Sequence, residues 1–151
     1  TGSMPMSLDS RLMGQVFTNL LKNAAEGIVS KENNDNEENA VHIETWTDED
    51  AIVVDIADTG IGFPASGRAQ LLEPYMTTRE KGTGLGLAIV RRIVEDHGGT
   101  MRLMDGKQAR TPTSGALVRL SFAAKADTTT DGAADDGALN DTSNTDEGVA
   151  L

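Results

Sequence analysis

The stretch 79–90 constrains this chain more than any other part of its sequence. Three glycines at alternate positions, Gly82, Gly84 and Gly86, lead directly into a pattern typical of a helix. Glycine lets backbone N–H groups approach a polyanion without interference from a Cβ atom, and the following helix presents its positive N-terminal end. The pattern predicts a phosphate-binding loop hinged onto a helix, although glycine-rich loops also occur as plain turns and linkers.

The composition limits the classes of protein to which the chain can belong. Its 151 residues suffice for one domain, and 38% are hydrophobic but only 3% aromatic, so the core must be mainly aliphatic. The net charge of -11 argues against nucleic acid or an anionic membrane surface as the partner. The absence of cysteine excludes disulfides and thiolate metal sites. No apolar run approaches the roughly 18 residues that a membrane helix needs.

The patterned part of the chain begins with an amphipathic helix. Apolar residues recur every three or four positions up to about Val29, which predicts a helix that directs one face at a core. Either Ser7 or Asp9 can cap its N-terminus. Asn19 and Asn23 are four residues apart and therefore project from the same side of the helix. Such a pair is by itself more often a solvated face than a site.

A predicted β-hairpin follows the Asn- and Glu-rich loop 30–39. Its strands cover residues 41–47 and 51–58. The two-residue period of the second strand places Asp58 on the same inward face as Ile56. A carboxylate that continues a buried apolar row needs a partner, although the Asp-Thr-Gly sequence that it begins is usually only a turn.

Further elements complete the predicted domain. A short helix lies within 65–75, a stronger one covers 85–97, and strands 100–104 and 116–122 form a closing hairpin. Residues 123–151 contain seven acids and one lysine. This segment has too little apolar surface to offset its ordering entropy, so it is predicted to be a disordered acidic tail.

Three motifs occur in an order and spacing that resemble the N, G1 and G2 boxes of the catalytic, ATP-binding domain of sensor histidine kinases. They are 19–26 on the first helix, 58–62 after a strand, and 82–86 before a helix. Residues 73–78 resemble the F box, although Leu72 stands where that box usually begins with Phe. The resemblance covers roughly residues 9–122. The F and G2 region is most similar to nitrogen-regulation sensor kinases of the NtrY/NtrB kind.

The resemblance implies an α/β sandwich in which helices cover one face of a mixed sheet, with ATP held under a lid. It divides the chain into a tag or linker remnant (1–8), a catalytic ATP-binding domain (9–122) and the acidic tail (123–151). Neither His42 nor His97 lies in the family's phosphoacceptor setting, and we expect both to be structural. The dimerisation and histidine-phosphotransfer domain would therefore be a partner outside this sequence.

The resemblance also assigns residues to the metal and the phosphates. Asn23 would offer an amide oxygen to Mg²⁺, which prefers oxygen ligands. Asn19 would line the same catalytic site, and Lys22 would meet a phosphate. Arg79, Lys81 and the amides around Gly82 to Gly86 would hold the phosphates. The remaining predicted ATP-binding residues of this region are Thr77, Thr78, Arg79, Lys81, Gly82, Thr83, Gly84, Leu85 and Gly86.

The adenine end of the implied site lies in the G1 box. Asp58 would accept a hydrogen bond from the exocyclic amine of adenine. Gly60 and Gly62 would let the backbone pass close to the base, because neither carries a Cβ atom.

The implied activity is transfer of the ATP γ-phosphate to a histidine on the partner domain, from which a response regulator would receive it. ATPases of the gyrase, MutL and chaperone type share the fold, but they place Glu where this chain has Asn19, and an amide cannot act as a general base. A Ser/Thr kinase of the anti-sigma type and a nucleotide-sensing module are further alternatives. We expect a cytoplasmic bacterial domain that contacts neither nucleic acid nor membrane, within a parent that could be anchored in the inner membrane.

Overall fold

Two α-helices, four strands and two short 3₁₀ helices form the part of the chain that the computed structural model describes, residues 8–31, 38–76 and 84–124. In chain order they are α1 (Ser10–Val29), β1 (Val41–Asp48), β2 (Ala51–Asp58), the first 3₁₀ helix (Arg68–Leu72), α2 (Gly86–Asp96), β3 (Gly99–Asp105), the second 3₁₀ helix (Gly106–Gln108) and β4 (Ala116–Ala123). The predicted short helix within 65–75 is thus a single 3₁₀ segment. The predictions for residues 1–7 and 125–151 lie outside the described residues.

Helix α1 begins at a side-chain cap. The Oδ1 atom of Asp9 accepts hydrogen bonds from the backbone N–H groups of Arg11 and Leu12 at 2.9 and 3.1 Å. The bond from Leu12, supported by that from Arg11, lowers the pKa of the Asp9 carboxyl below its usual value. The alternative cap, Ser7, lies outside the described residues. The apolar face of α1 is buried as its periodicity predicts, through Met13, Val16, Leu20 and Ala24.

The four described strands form one sheet in the order β1-β2-β4-β3. Every neighbouring pair is antiparallel. The predicted two-layer α/β sandwich is confirmed, but the described strands do not form the mixed sheet that was expected. The reason is that β4 lies between β2 and β3, two strands that run in the same direction and would otherwise pair in parallel.

One face of the sheet carries the main core against α1 and α2. Ile56 on β2 lies opposite Val118 on β4, and both belong to a cluster of buried, mainly aliphatic side chains from α1, α2, β2 and β4. Burial of such a cluster supplies the main stabilisation of the fold. Asp58 continues the row of Ile56 and is only 7% exposed. Its predicted inward position is therefore confirmed.

The opposite face of the sheet is covered by side chains and by the loop between β3 and β4. At one end of this face Ala57 and Leu117 pack with Ala109 from that loop and with Met104. Further along, Asp55 is 1% exposed. The second face is therefore buried around Ala57, Leu117 and Asp55, without a helical layer of its own among the described elements.

A buried ion pair and an aromatic ring occupy the middle of this second face. The Nε and Nη2 atoms of Arg119 donate to the two carboxylate oxygens of Asp55 at 2.7 and 2.8 Å. This bidentate bond raises the pKa of Arg119. The guanidinium groups of Arg110 and Arg119 lie 5.0 and 5.2 Å from the centre of the Trp46 ring, within cation–π range.

Candidate functional site

A pocket of about 360 Å³ lies between α1, the end of β2 and the start of α2. Its apolar wall includes Leu20, Ala24, Ile56, Ile89 and Val118. Its polar wall includes Asn19, Lys22, Asn23, Glu26 and Asp58. A pocket that is apolar with a few convergent polar groups is the usual form of a small-molecule site.

The pocket brings together eight of the predicted site residues. They are Asn19, Lys22, Asn23, Asp58, Gly62, Gly84, Leu85 and Gly86. Six others lie outside the described residues, namely Thr77, Thr78, Arg79, Lys81, Gly82 and Thr83. The remaining one, Gly60, is described and is placed differently from the prediction.

The carboxylate of Asp58 is held by two backbone amides. Its Oδ1 atom accepts hydrogen bonds from the N–H groups of Gly60 at 2.8 Å and Ala116 at 3.2 Å. The backbone carbonyl of Asp58 also accepts a bond from the N–H of Gly115 at 3.0 Å. These three bonds fix a buried carboxylate at the wall of the pocket, where it can accept a hydrogen bond from a ligand donor.

Gly60 does not line the pocket but contacts helix α1. A Cβ atom on Gly60 would lie 2.5 Å from the carbonyl carbon of Gly27. The next residue, Ile61, donates its N–H to the Gly27 carbonyl oxygen at 3.2 Å. The prediction that Gly60 makes room for a base is therefore corrected: its missing side chain makes room for the helix backbone. Gly62 does line the pocket, with a left-handed φ of 74°.

Substitution of Gly60 by alanine is expected to lower the free energy of unfolding by about 3 kcal/mol, because the new methyl group would overlap backbone that cannot rotate away. Gly14→Ala is the matched control, since a Cβ atom on Gly14 would have no atom within 4 Å. Urea denaturation of both variants tests the contact. A Gly60→Ala protein as stable as Gly14→Ala would contradict it.

The two asparagines project from α1 towards the start of α2. The Nδ2 atom of Asn19 donates to the carbonyl of Gln15 at 2.9 Å. A Cβ atom on Gly86 would lie 3.4 Å from Oδ1 of Asn19 and 3.9 Å from Oδ1 of Asn23. Glycine at position 86 thus permits α2 to begin beside both amides. Two neutral oxygens and the positive end of a helix meet at this end of the pocket.

Lys22 and Glu26 occupy the exposed rim of the pocket. Their charged atoms are 3.9 Å apart, and 73% of the Lys22 side chain is exposed. A pair with this spacing on a helix surface contributes little to stability. Lys22 can therefore leave this partner at small cost.

The base of the predicted lid is closed by a backbone clasp. The N–H of Tyr75 donates to the carbonyl of Gly84 at 3.0 Å. Both residues have left-handed backbone, with φ of 66° and 65°, and a Cβ atom on Gly84 would lie 2.5 Å from the carbonyl carbon of Tyr75. The clasp holds Tyr75 and Gly84, described residues on either side of 77–83, together at the pocket mouth. Leu72, the departure from the F box, ends the first 3₁₀ helix, and its neighbour Leu71 lines the pocket.

The two histidines lie away from the pocket lining. The Nδ1 atom of His97 is 2.7 Å from the carbonyl oxygen of Ile93, and its Nε2 atom accepts the N–H of Asp9 at 3.3 Å. His97 thereby links the end of α2 to the start of α1. His42 lies on β1, paired with Ala57.

Sequence reasoning missed three residues around Asp58, namely Gly27, Gly115 and Ala116. Gly27 lies inside a helix pattern, whereas Gly115 directly precedes β4 and Ala116 is its first residue, and neither belongs to a recognised motif. One sequence signal could have indicated this contact: a glycine stands directly before the alternating strand 116–122, and glycine at such a position often allows another backbone to approach closely.

Among the described residues no group of three His, Cys, Asp or Glu side chains could hold a metal. No helix in the described ranges is long and apolar enough to cross a membrane.

Comparison with known proteins finds a matching family model and a similar curated protein. The family model of histidine kinase-, DNA gyrase B- and HSP90-like ATPases matches residues 8–126. Nitrogen regulation protein NtrY of Azorhizobium caulinodans is 45% identical over 123 residues, which are 82% of this chain and 15% of that protein. The chain thus spans less than a fifth of this curated relative.

Two solved structures are similar to the described fold. The mycobacterial sensor histidine kinase MprB has a TM-score of 0.62 and 28% identity, with 76% of this chain and 72% of that chain covered. Full-length ShkA in complex with AMPPNP has a TM-score of 0.60 and 26% identity, with 82% of this chain and 25% of that chain covered.

Proposed function

The chain belongs to the family of histidine kinase-, DNA gyrase B- and HSP90-like ATPases, and from this membership we propose that it is the ATP-binding catalytic domain of a two-component sensor histidine kinase. The family predicted from the sequence motifs is thereby confirmed. The observation that carries the proposal is the layout of one pocket. Buried Asp58 lies at one end, and Asn19 and Asn23 face the start of α2 at the other.

The Asp58 end of the pocket suits an adenine ring. A flat base would lie against the aliphatic wall, which includes Ile56, Val118 and Ile89. A carboxylate only accepts hydrogen bonds, so Asp58 would bind the exocyclic amine of adenine and would disfavour the 6-oxo group of guanine. Leu20 and Ala24 on α1 complete the apolar surface.

The asparagine end suits the phosphates of ATP with Mg²⁺. The amide oxygens of Asn23 and Asn19 are hard, neutral ligands of the kind that Mg²⁺ takes alongside nucleotide phosphates. The first turn of α2 offers backbone N–H groups and a positive partial charge to the phosphate chain. Bound Mg²⁺ would neutralise phosphate charge during transfer, and the protein residues would position the γ-phosphate for its acceptor.

Phosphoryl transfer is favoured over hydrolysis by the chemistry of Asn19. Its amide has no basic atom, and its Nδ2 group already donates to Gln15, so it cannot activate a water molecule. The other carboxylate in the described lining of the pocket, Glu26, is on the rim next to Lys22. The acceptor would be a histidine on a dimerisation and phosphotransfer domain of the parent protein, with a response regulator as the next receiver.

As part of the same proposal, we infer the cellular role from the name of a relative. The name of the NtrY relative refers to nitrogen regulation, and we place this chain in a signalling kinase of that type. Use of ATP implies that the domain works in the bacterial cytoplasm, whatever anchors the parent.

Transfer itself can be tested with radiolabelled ATP and a separately supplied histidine-phosphotransfer domain. We expect label on that domain that is lost in acid and retained in base, as for phosphohistidine. Acid-stable label would indicate a Ser/Thr kinase. Release of inorganic phosphate at the same rate with and without the acceptor would indicate an ATPase.

Substitution of Asn23 by alanine is expected to lower the Mg²⁺-dependent affinity for ATP about tenfold and to leave the affinity in EDTA unchanged, because it removes a metal ligand and no contact to the base. Calorimetric titration with and without Mg²⁺ measures both quantities. Asn39→Ala, an exposed position outside the pocket lining, is the matched control. Equal losses in the two conditions would contradict the assignment of Asn23 to the metal.

A further inference from the structure

The loop between β3 and β4, residues 106–115, ends against the carboxylate of Asp58. A Cβ atom on Gly115 would overlap Oδ1 of Asp58 and would lie 2.5 Å from both the backbone oxygen of Asp58 and the backbone nitrogen of Gly60. The φ of Gly115 is not in the left-handed region, so a positive φ is not the reason for glycine at this position. What requires glycine here is the space taken by Asp58 and the turn after it.

The same loop is held in place from several sides. The N–H of Gly106 donates to the carbonyl of Gly115 at 2.9 Å, and the N–H of Thr113 donates to the carbonyl of Gly106 at 3.1 Å. On the second face of the sheet, Thr111 donates its N–H and its hydroxyl to the carboxylate of Glu44 at 3.0 and 3.1 Å. These bonds therefore hold Gly115 in place against the Asp58 side chain.

The consequence for Asp58 is a single orientation of its carboxylate. The N–H groups of Gly60, in the turn after β2, and of Ala116, at the start of β4, both donate to the same oxygen. Rotation of the carboxylate would break both bonds in a buried place, which is costly. Because the carboxylate is oriented before binding, it favours a ligand whose donor group can form a hydrogen bond to it without rearrangement.

We propose that Gly115 is a positioning residue that sets the base specificity of the pocket through Asp58. The proposal rests on the function proposed above, with Asp58 as acceptor for the exocyclic amine. A side chain at position 115 would turn the carboxylate, so the pocket would still bind a nucleotide but would no longer distinguish a purine with the amine from one without it.

The test is the ratio of affinities for ATP and for purine riboside triphosphate, which lacks the exocyclic amine. We expect the unsubstituted protein to prefer ATP by about 10- to 100-fold, the value of a hydrogen bond to a charged group. Gly115→Ala should reduce this preference to less than about threefold, whereas Gly14→Ala should retain it. A Gly115→Ala protein that loses affinity for both nucleotides by the same factor would overturn the proposal, since a structural defect alone predicts that result.

Two further measurements cover the case in which Gly115→Ala does not fold. Ala116→Pro removes the N–H donor to Asp58 at the first residue of β4, a strand position that tolerates proline. It should likewise abolish the preference for ATP, and a retained preference would overturn the proposal. In the unsubstituted protein, the amide protons of Gly60 and Ala116 should be protected from hydrogen exchange, because both donate to the buried Asp58 carboxylate. An Ala116 amide that exchanges without protection would also overturn the proposal.

The outcomes separate this inference from the proposed function. If the unsubstituted protein binds neither nucleotide, the proposed function fails and this inference fails with it. If it binds ATP with a clear preference that Gly115→Ala and Ala116→Pro both retain, only the role of Gly115 fails.

Discussion

Replacement of Asp58 by asparagine is expected to lower the affinity for ATP about 100-fold while the protein stays folded. The amide oxygen of asparagine can still accept the N–H groups of Gly60 and Ala116, so the loop keeps its contacts. The amide nitrogen would then face the pocket and present donors to the amine of adenine, which is also a donor. One favourable hydrogen bond is thus exchanged for a repulsive contact.

The base dependence of the same variant makes this prediction specific. The introduced amide can donate to a 6-oxo group, so Asp58→Asn should bind ITP relatively better than the unsubstituted protein does. Calorimetric titration with both nucleotides measures the change, and thermal unfolding confirms the fold. Unchanged affinity for ATP in a folded Asp58→Asn protein would remove Asp58 from the adenine site.

Replacement of Arg119 by methionine is expected to lower the free energy of unfolding by about 3 kcal/mol, because it leaves a buried charge without its partner. Asp55 is 1% exposed, and both its oxygens accept bonds from Arg119. Arg102 lies opposite Arg119 on β3 and is exposed, so Arg102→Met serves as the control and should change stability by less than about 0.5 kcal/mol.

A double variant identifies the cause of the loss. Asp55→Val together with Arg119→Met removes both charges from the second face of the sheet, and apolar replacements of a buried pair are often nearly neutral. We therefore expect the double variant to be more stable than Arg119→Met alone in urea denaturation. If the double variant loses as much stability as the single variants Asp55→Val and Arg119→Met together, the two side chains are not energetically coupled.

Local sequence patterns were sufficient to predict the helices, the strands and several residues of the site. The helical period of α1, the cap at Asp9 and the two-residue period that buries Asp58 all depend on residues close in sequence. The glycines before α2 likewise predicted a helix that starts at the pocket, and the described structure places Gly86 beside Asn19 and Asn23.

Contacts between distant segments could not be predicted in the same way. Gly60 reads as a loop residue with space for a ligand, and only the folded chain shows the backbone of Gly27 against it. The position of β4 between β2 and β3 determines the sheet order, yet no short pattern encodes it. Asp55 alternates with the apolar row of β2 and would be expected in solvent, but Arg119 from β4 covers it.

Calorimetric titration of the protein with a non-hydrolysable ATP analogue, with and without Mg²⁺, tests the central claim most directly. The layout of the pocket predicts one site per chain, with an affinity in the micromolar to millimolar range that Mg²⁺ strengthens. Absence of binding by a protein that unfolds cooperatively would contradict the claim that this pocket is an ATP site.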